Sequence, residues 1–374
     1  MMSRRPEAAR SFFQPGRKYG MAGLYIGSTT GYSGKNMIVM GLGLRLQKEG
    51  FNVGYMKPVG AMPMETGGKL GDEDAAFVQD VLGINEDPEL VSPVVVTQDF
   101  KVKAFSGNME GLLDKIVDGY KNISESRDIT LVAGSGSMYS GKYCNTDAIS
   151  VIKQLGIKAI IIDRFQKELK YDYLMVMKEH LGDQLAGVIL NDIPPHFMDE
   201  VNQLLGPALE SKGIKILGVI PHDPLMGAIK VGDLADRLGG KIISAHNKAE
   251  RVVETFLIGT MQVENFMTHF RKKKNSAIIV GGDRSDVQLV ALEGDCPCLV
   301  LTGNLYPNDI ILTRSEVLET PIIMVREDTF TVAKKMDDIL SRHKLRDAIK
   351  IKQGAELVAD HIDFQHLKKE LGLK

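Results

Sequence analysis

The chain has 374 residues, with 46 Lys and Arg against 48 Asp and Glu, for a formal net charge of −2. That balance gives no basic footprint for nucleic acid, and no apolar run approaches the roughly 18 residues of a membrane span. The apolar fraction of 44% and charged fraction of 25% are those of a globular protein with a sizeable core, and the length suggests two or three domains. Three cysteines, Cys144, Cys296 and Cys298, do not make a disulfide framework and fit a reducing, cytoplasmic setting. Cys296-Pro297-Cys298, without further ligands nearby in sequence, is poor ground for a metal site.

Residues 1–20 carry Arg4, Arg5, Arg10, Arg17 and Lys18 but lack the apolar centre of a secretory signal. They read as a disordered leader, with Met21 directly before the first strand. Leu24-Tyr25-Ile26 reads as that strand, and a Gly- and hydroxyl-rich loop follows, ending in Gly34-Lys35. Met37 to Leu46 then reads as a largely buried helix. Strand, Gly-rich turn, Gly-Lys and helix form the layout of a phosphate-binding P-loop. Gly31, Tyr32, Ser33, Gly34, Lys35 and Asn36 are the candidate nucleotide-binding residues, with backbone N–H groups and the lysine ammonium facing phosphate. Two positions depart from the usual spacing. Thr29 stands where the first Gly belongs, and Asn36 stands where a Ser or Thr would hold Mg²⁺. The alternative is an ordinary strand–helix turn whose glycines serve packing.

Asn52 to Met56 reads as a second strand ending in Lys57-Pro58-Val59-Gly60, followed by a Gly- and Met-rich loop and a helix starting at Gly71-Asp72-Glu73-Asp74. Acidic residues also suit a helix start for dipole reasons alone. Further strands are expected at 129–133, 159–162, 186–190 and 215–220, with helices between them at 146–155 and 172–181 and one after Pro195. This alternation implies a parallel sheet covered on both faces, with ligands at the carboxyl ends of its strands. Lys35, Lys57, Asp74, Gly134 and Asn191 all fall at or just beyond such ends.

From Gly23 to about Pro221 the chain resembles dethiobiotin synthetase and its relatives, which include cobyrinic acid a,c-diamide synthase and the amino-terminal domain of long phosphate acetyltransferases. The likeness rests on the early P-loop, the Gly54-Tyr55-Met56-Lys57-Pro58-Val59 strand end and the Asp74-Ala75 helix start. The Gly-rich loop after Val132 and Leu190-Asn191 complete it. It implies a P-loop NTPase-like, doubly wound α/β domain over residues 21–221 that binds ATP with Mg²⁺. Lys35 would contact phosphates, Lys57 would stand at the reacting centre, Asp74 would act with it and hold metal–nucleotide, and Asn191 would meet adenine. One departure matters: the family carries a Glu before the Gly-rich loop, and Ala133 stands there. With Asn36, two positions tied to Mg²⁺ have changed, and phosphoryl transfer depends on metal positioning.

Pro221-His222-Asp223-Pro224 reads as the turn that closes the first domain. Residues 222–340 resemble a DRTGG domain, a smaller α/β unit regarded as ligand-sensing, through Val231-Gly232-Asp233-Leu234-Ala235 and Gly281-Gly282-Asp283-Arg284-Ser285-Asp286. Three strands, at 277–280, 299–301 and 322–325, each run into a polar loop and a helix. Parallel pairing would gather Gly282, Asp283, Arg284, Thr302 and Asp328 at one edge, suited to an anion. The alternative is that these residues only make turns and helix caps. Residues 341–374 read as a helical tail with Leu345, Ile349, Leu357, Ile362, Leu367 and Leu371 as apolar contacts and Gly354 between two helices. Such a tail packs on its own domain or on a partner subunit.

Three functions follow, the third being a non-catalytic interaction module that has lost nucleotide. The first is a nucleotide-binding regulatory or sensor protein with weak or no ATPase, a cytoplasmic homodimer whose other small-molecule ligand, an unknown metabolite, the sequence does not name. The second is an ATP-dependent carboxylate ligase of the dethiobiotin-synthetase kind, kept open by Lys35, Lys57 and Asp74. A phosphate acetyltransferase by itself is not expected, since that family's catalytic domain would follow Lys374.

Overall fold

Short runs of Val, Ile and Leu without polar alternation need cover on both faces, which parallel sheets provide. The computed structural model describes residues 22–107, 109–342 and 347–374, so the leader and Leu345 lie outside the described residues. Six of the runs pair as one sheet: β1 (Ala22–Ser28), β2 (Val53–Met56), β3 (Ile129–Ala133), β4 (Lys158–Arg164), β5 (Leu185–Ile193) and β6 (Ile216–Pro221). Their order is β6-β5-β4-β1-β3-β2, and every neighbouring pair is parallel. Parallel neighbours require crossovers, and helices supply them: α1 (Lys35–Lys48), α2 (Glu73–Leu82), α3 (Leu112–Ser124), α4 (Ala148–Leu155) and α5 (Tyr171–Leu181). With β1 central, between β3 and β4, the chain changes direction around it and opens a crevice at the carboxyl ends of the strands. The stretch read as a Gly- and Met-rich loop is partly a hairpin, Pro63–Thr66 with Lys69–Asp72.

The second unit begins with α6 (Val231–Leu238) and carries a five-stranded sheet: β7 (Lys241–Ser244), β8 (Thr255–Ile258), β9 (Ser276–Gly281), β10 (Leu299–Thr302) and β11 (Ile322–Met324). Their order is β7-β11-β10-β9-β8, parallel except for the edge strand β7. Side chains alternate across this sheet. Ala277, Ile279, Val300 and Ile323 enter the core on one face. Ile278, Val280, Leu299, Leu301 and Ile322 enter the core on the other. Helices α7 (Val263–Phe270), α8 (Ser285–Glu293), α9 (Asp309–Val317) and α10 (Thr329–Arg342) complete the unit. Sequence reading found β9, β10 and β11 and missed β7 and β8, which are short and only partly buried.

The tail folds back onto the first domain. Helix α11 (Ala348–His361) lies across α1, so close that a Cβ on Gly41 would stand 2.6 Å from Val358. Ile362 bridges Gly218 of β6 in antiparallel fashion, and the N–H of Asp363 donates to the Leu217 carbonyl at 2.7 Å. Helix α12 (Phe364–Leu371) buries Phe364 and Leu367 in the same core. Gly354 does not separate two helices: it is a buried residue inside α11, and the break falls at Ile362 and Asp363. Ile349 is exposed rather than a packing contact. With the tail partnered within its own chain, it no longer speaks for a dimer. No helix among the described residues is long and apolar enough to cross a membrane.

Candidate functional site

The loop from β1 to α1 is closed by its own hydroxyls. Ser28 Oγ and Ser33 Oγ both donate to the Thr30 carbonyl, at 2.6 and 2.8 Å. Thr29 Oγ1 donates to Oδ1 of the buried Asp163 at 2.5 Å. Gly34 starts the helix at φ 94°, a left-handed conformation that favours glycine, and a Cβ there would stand 2.5 Å from Asn191 Nδ2. That amide nitrogen donates to the Ser33 carbonyl at 2.9 Å. Through this bond Asn191, expected at adenine, ties the loop to β5.

Lys35 Nζ donates to Ser28 Oγ at 2.6 Å and to the Gly136 carbonyl at 2.8 Å, linking the P-loop to the loop after β3. Burial lowers its pKa to about 8, helped by nearby Lys57 and opposed by Asp74. Lys57 follows β2 and is itself buried. Its Nζ lies 2.7 Å from Asp72 Oδ1 and 3.4 Å from Asp74 Oδ2. Asp72 is the N-cap of α2, accepting the Ala75 N–H at 3.0 Å, and its other oxygen accepts the Met62 N–H at 2.8 Å. An acidic residue at a helix start is thus both cap and ion-pair partner.

Gly31, Tyr32, Ser33, Gly34, Lys35, Asn36, Lys57, Asp74 and Asn191 line one cleft of about 380 Å³. Its far wall was not read from the sequence: Arg164, Asp192, His222, Asp223, Met226, Leu340 and Leu357. Asp192 has φ 62°, which Asp tolerates better than most residues. Its carboxylate receives Arg164 Nε at 2.7 Å and meets His222 Nδ1 at 2.6 Å, while Arg164 also donates to the Tyr32 carbonyl at 3.0 Å. Burial pushes the Asp192 carboxyl up, but His222 and Arg164 outweigh it and hold it below the usual range. The bond to Asp192 raises His222 in turn. Asp223 accepts from Leu225 N–H at 2.9 Å and from Gln353 of α11 at 2.7 Å, so the tail braces this wall. The available signal was position: Arg164, Asp192 and His222 sit at or just past the carboxyl ends of β4, β5 and β6.

In the second unit, β9, β10 and β11 do bring their loops to one edge, with Gly281 beside Thr302 and Leu301 beside Met324. Arg284, Asp328 and Thr302 each have local partners in this structure. The Arg284 fork holds Asp286 with two bonds of 3.0 Å and reaches the Met261 carbonyl at 3.1 Å. Asp328 caps α10, accepting from Phe330 and Thr331 N–H at 2.9 and 3.1 Å. Thr302 pairs with Thr329 at 2.8 Å. Gly282 packs against the Leu305 carbonyl, where no side chain would fit, and Asp283 faces solvent.

The family resemblance implies Mg²⁺, with Asp74 as its ligand, and the donors at the cleft do not fit that ion. Of the carboxylates lining the cleft, Asp192 is held by Arg164 and His222, and Asp223 by Leu225 and Gln353. Asp74 stands at the Lys35 end of the cleft with the Lys57 ammonium 3.4 Å from it. Asn36 brings an amide instead of a hydroxyl, and Ala133 is buried with no donor atom. Among the described residues no group of three or more His, Cys, Asp and Glu could hold a metal.

Residues 22–230 match the family model described as an AAA domain. The chain belongs to this AAA domain family. Behind the AAA domain, residues 233–339 match a DRTGG domain. The ATP-dependent dethiobiotin synthetase of Methanococcus vannielii is 31% identical over 196 residues, covering 52% of this chain and 75% of that protein. The phosphate acetyltransferase of a Synechocystis strain is 20% identical over 377 residues, covering 92% of this chain and 51% of the relative. The chain thus spans about half the length of such relatives. Among solved structures, the cell division protein MinD of Aquifex aeolicus is similar with a TM-score of 0.34 and 16% identity, over 55% of this chain and 84% of that one. The AAA domain and DRTGG domain follow one another as the two sheets do.

Proposed function

We propose that the AAA domain of this chain binds a nucleotide, and that the protein acts as a nucleotide-responsive regulator or sensor with weak or no ATPase. One observation carries the reading: Lys35 at the start of α1 and Lys57 at the end of β2 meet beside a glycine-bearing loop, over a cleft large enough for a ligand of this class. Weak turnover follows from Asn36 and Ala133, since phosphoryl transfer depends on metal positioning. The DRTGG domain is the second sensing element in this reading, and a cytoplasmic homodimer is the proposed assembly.

Titration calorimetry of the full chain with ATP and ADP, paired with a phosphate-release assay, tests it. Binding with turnover far below the ordinary enzyme rate of about 1 s⁻¹ is expected. Absence of nucleotide binding would overturn the assignment. The second reading, a ligase like dethiobiotin synthetase, is supported by Lys57 and Asp74 standing together at the same cleft. Phosphate release at ordinary enzyme rates with a carboxylate substrate would favour it.

A further inference from the structure

The AAA domain does not enclose the cleft alone. Met226 and Gly227, which line it, stand where the chain leaves that domain. Met226 packs on the core of the first sheet, and Ile229, three residues on, is buried in the core of the second unit. A junction this short leaves little slack between two packed bodies. Leu340 brings the second unit to the cleft itself. It lies near the end of α10, packs on that unit's core and lines the cleft. Its carbonyl is 3.8 Å from where a Cβ on Gly227 would be, an ordinary contact distance. The tail is the third contributor. Lys350, Gln353 and Leu357 of α11 have the spacing of one helix face. Lys350 donates to the Ala228 carbonyl at the junction, Gln353 holds Asp223 on the cleft wall at 2.7 Å, and Leu357 lines the cleft.

The chemistry of these residues divides the cleft. Loop N–H groups and the Lys35 ammonium suit phosphates. A base has flat faces that need an apolar surface, and the Met226, Leu340 and Leu357 side chains supply one. We infer that the nucleoside end of the ligand is held by the DRTGG domain and the tail, through Leu340 and Leu357, so that filling the cleft fixes the DRTGG domain against the AAA domain. The inference rests on the cleft being a nucleotide site. The coupling runs both ways: whatever binds the DRTGG domain and shifts it on the junction changes nucleotide affinity by the same factor that nucleotide changes its own.

The full chain is titrated with ATP and with inorganic tripolyphosphate, which offers phosphates and no nucleoside. Leu340→Ala is expected to weaken ATP roughly 5- to 30-fold and to leave tripolyphosphate within about twofold. Leu340→Met, which nearly conserves the volume, should keep the parent's ATP affinity within about threefold. Should Leu340→Ala fail to fold, hydrogen exchange of the parent answers instead: ATP should slow exchange of amides toward the end of α10, and tripolyphosphate should not. Unchanged ATP affinity in Leu340→Ala overturns the inference, as does an equal loss for ATP and tripolyphosphate, or ATP protection that stops short of α10. Those results leave the nucleotide site standing. Failure of ATP to bind the parent overturns the site and this inference together.

Discussion

At the scale of single residues, Lys35 concentrates the argument. It is half-buried among neutral oxygens and next to a second lysine, so its ammonium is held at a cost that a phosphate would remove. A charge-assisted bond to phosphate is worth about 1.5–3 kcal/mol, so Lys35→Ala should weaken nucleotide affinity by roughly 10- to 100-fold in a calorimetric titration. Equal affinity in variant and parent would remove the P-loop assignment. The pKa of about 8 adds a pH signature. Above that value the unliganded lysine has lost its proton, and a bound anion restores it. Binding measured at about pH 9 in buffers of different ionisation enthalpy should therefore show net proton uptake, and Lys35→Arg should abolish it. Uptake that persists in Lys35→Arg would assign the proton to another group.

At the scale of elements, α1 carries the loop at one end and the tail along its side. Gly41 is the contact point, with Val358 carbons 2.6 to 2.8 Å from where its Cβ would be. Gly→Ala in a free helix stabilises by about 0.5–1 kcal/mol. Here the methyl would force α11 away, and overpacking of this kind costs about 1–3 kcal/mol. Gly41→Ala should therefore lower the denaturation midpoint, and Val358→Ala in the same chain should recover part of the loss relative to the two single changes added together. Additive single changes would show that the two helices do not touch there in solution. The same logic explains why α1 bears glycine at 41 where propensity alone would choose alanine: that face of the helix is shaped for a neighbour that comes more than 300 residues later in the chain.

At the scale of the whole molecule, the tail joins both units. Gln353 holds Asp223 on the cleft wall, Leu357 lines the cleft, and Lys350 donates to the Ala228 carbonyl where the first domain gives way to the second. Lys230, just beyond, pairs with Glu250 at 2.8 Å and Asp347 at 3.5 Å. Lys350 is buried, and burial lowers its pKa to about 8 against the partial support of Asp347 and Asp233. The sign follows from proton counts: between about pH 8 and pH 10 the unfolded chain keeps a proton that the folded chain has lost, so this group's contribution to stability rises with pH. The parent should become more stable relative to Lys350→Met across that window, by up to roughly 2–3 kcal/mol. Urea midpoints measured at both ends of it give the difference, and a difference that falls or stays flat would show that Lys350 is not buried as a charge.

The sequence alone determined those features whose physics is local. A buried parallel strand must be an apolar run, a loop that exposes N–H groups to an anion must carry glycine at a left-handed position, and Gly34-Lys35 at a helix start meets both demands within a few residues. Asn36 and Ala133 were legible for the same reason, since a missing donor is visible in the residue itself. What only the tertiary structure decided was pairing across distance. Asn191 carries nothing in its neighbourhood to say that its amide would reach the Ser33 carbonyl. Arg164, Asp192 and His222 become one chain of bonds because β4, β5 and β6 end side by side. Arg284 reaches the Met261 carbonyl at 3.1 Å only because the loop after β8 folds beside the start of α8. The tail's apolar stripe announced a partner without naming it. Burial against α1 and β6 chose the partner, because the surface those elements leave uncovered is the one that its side chains fit.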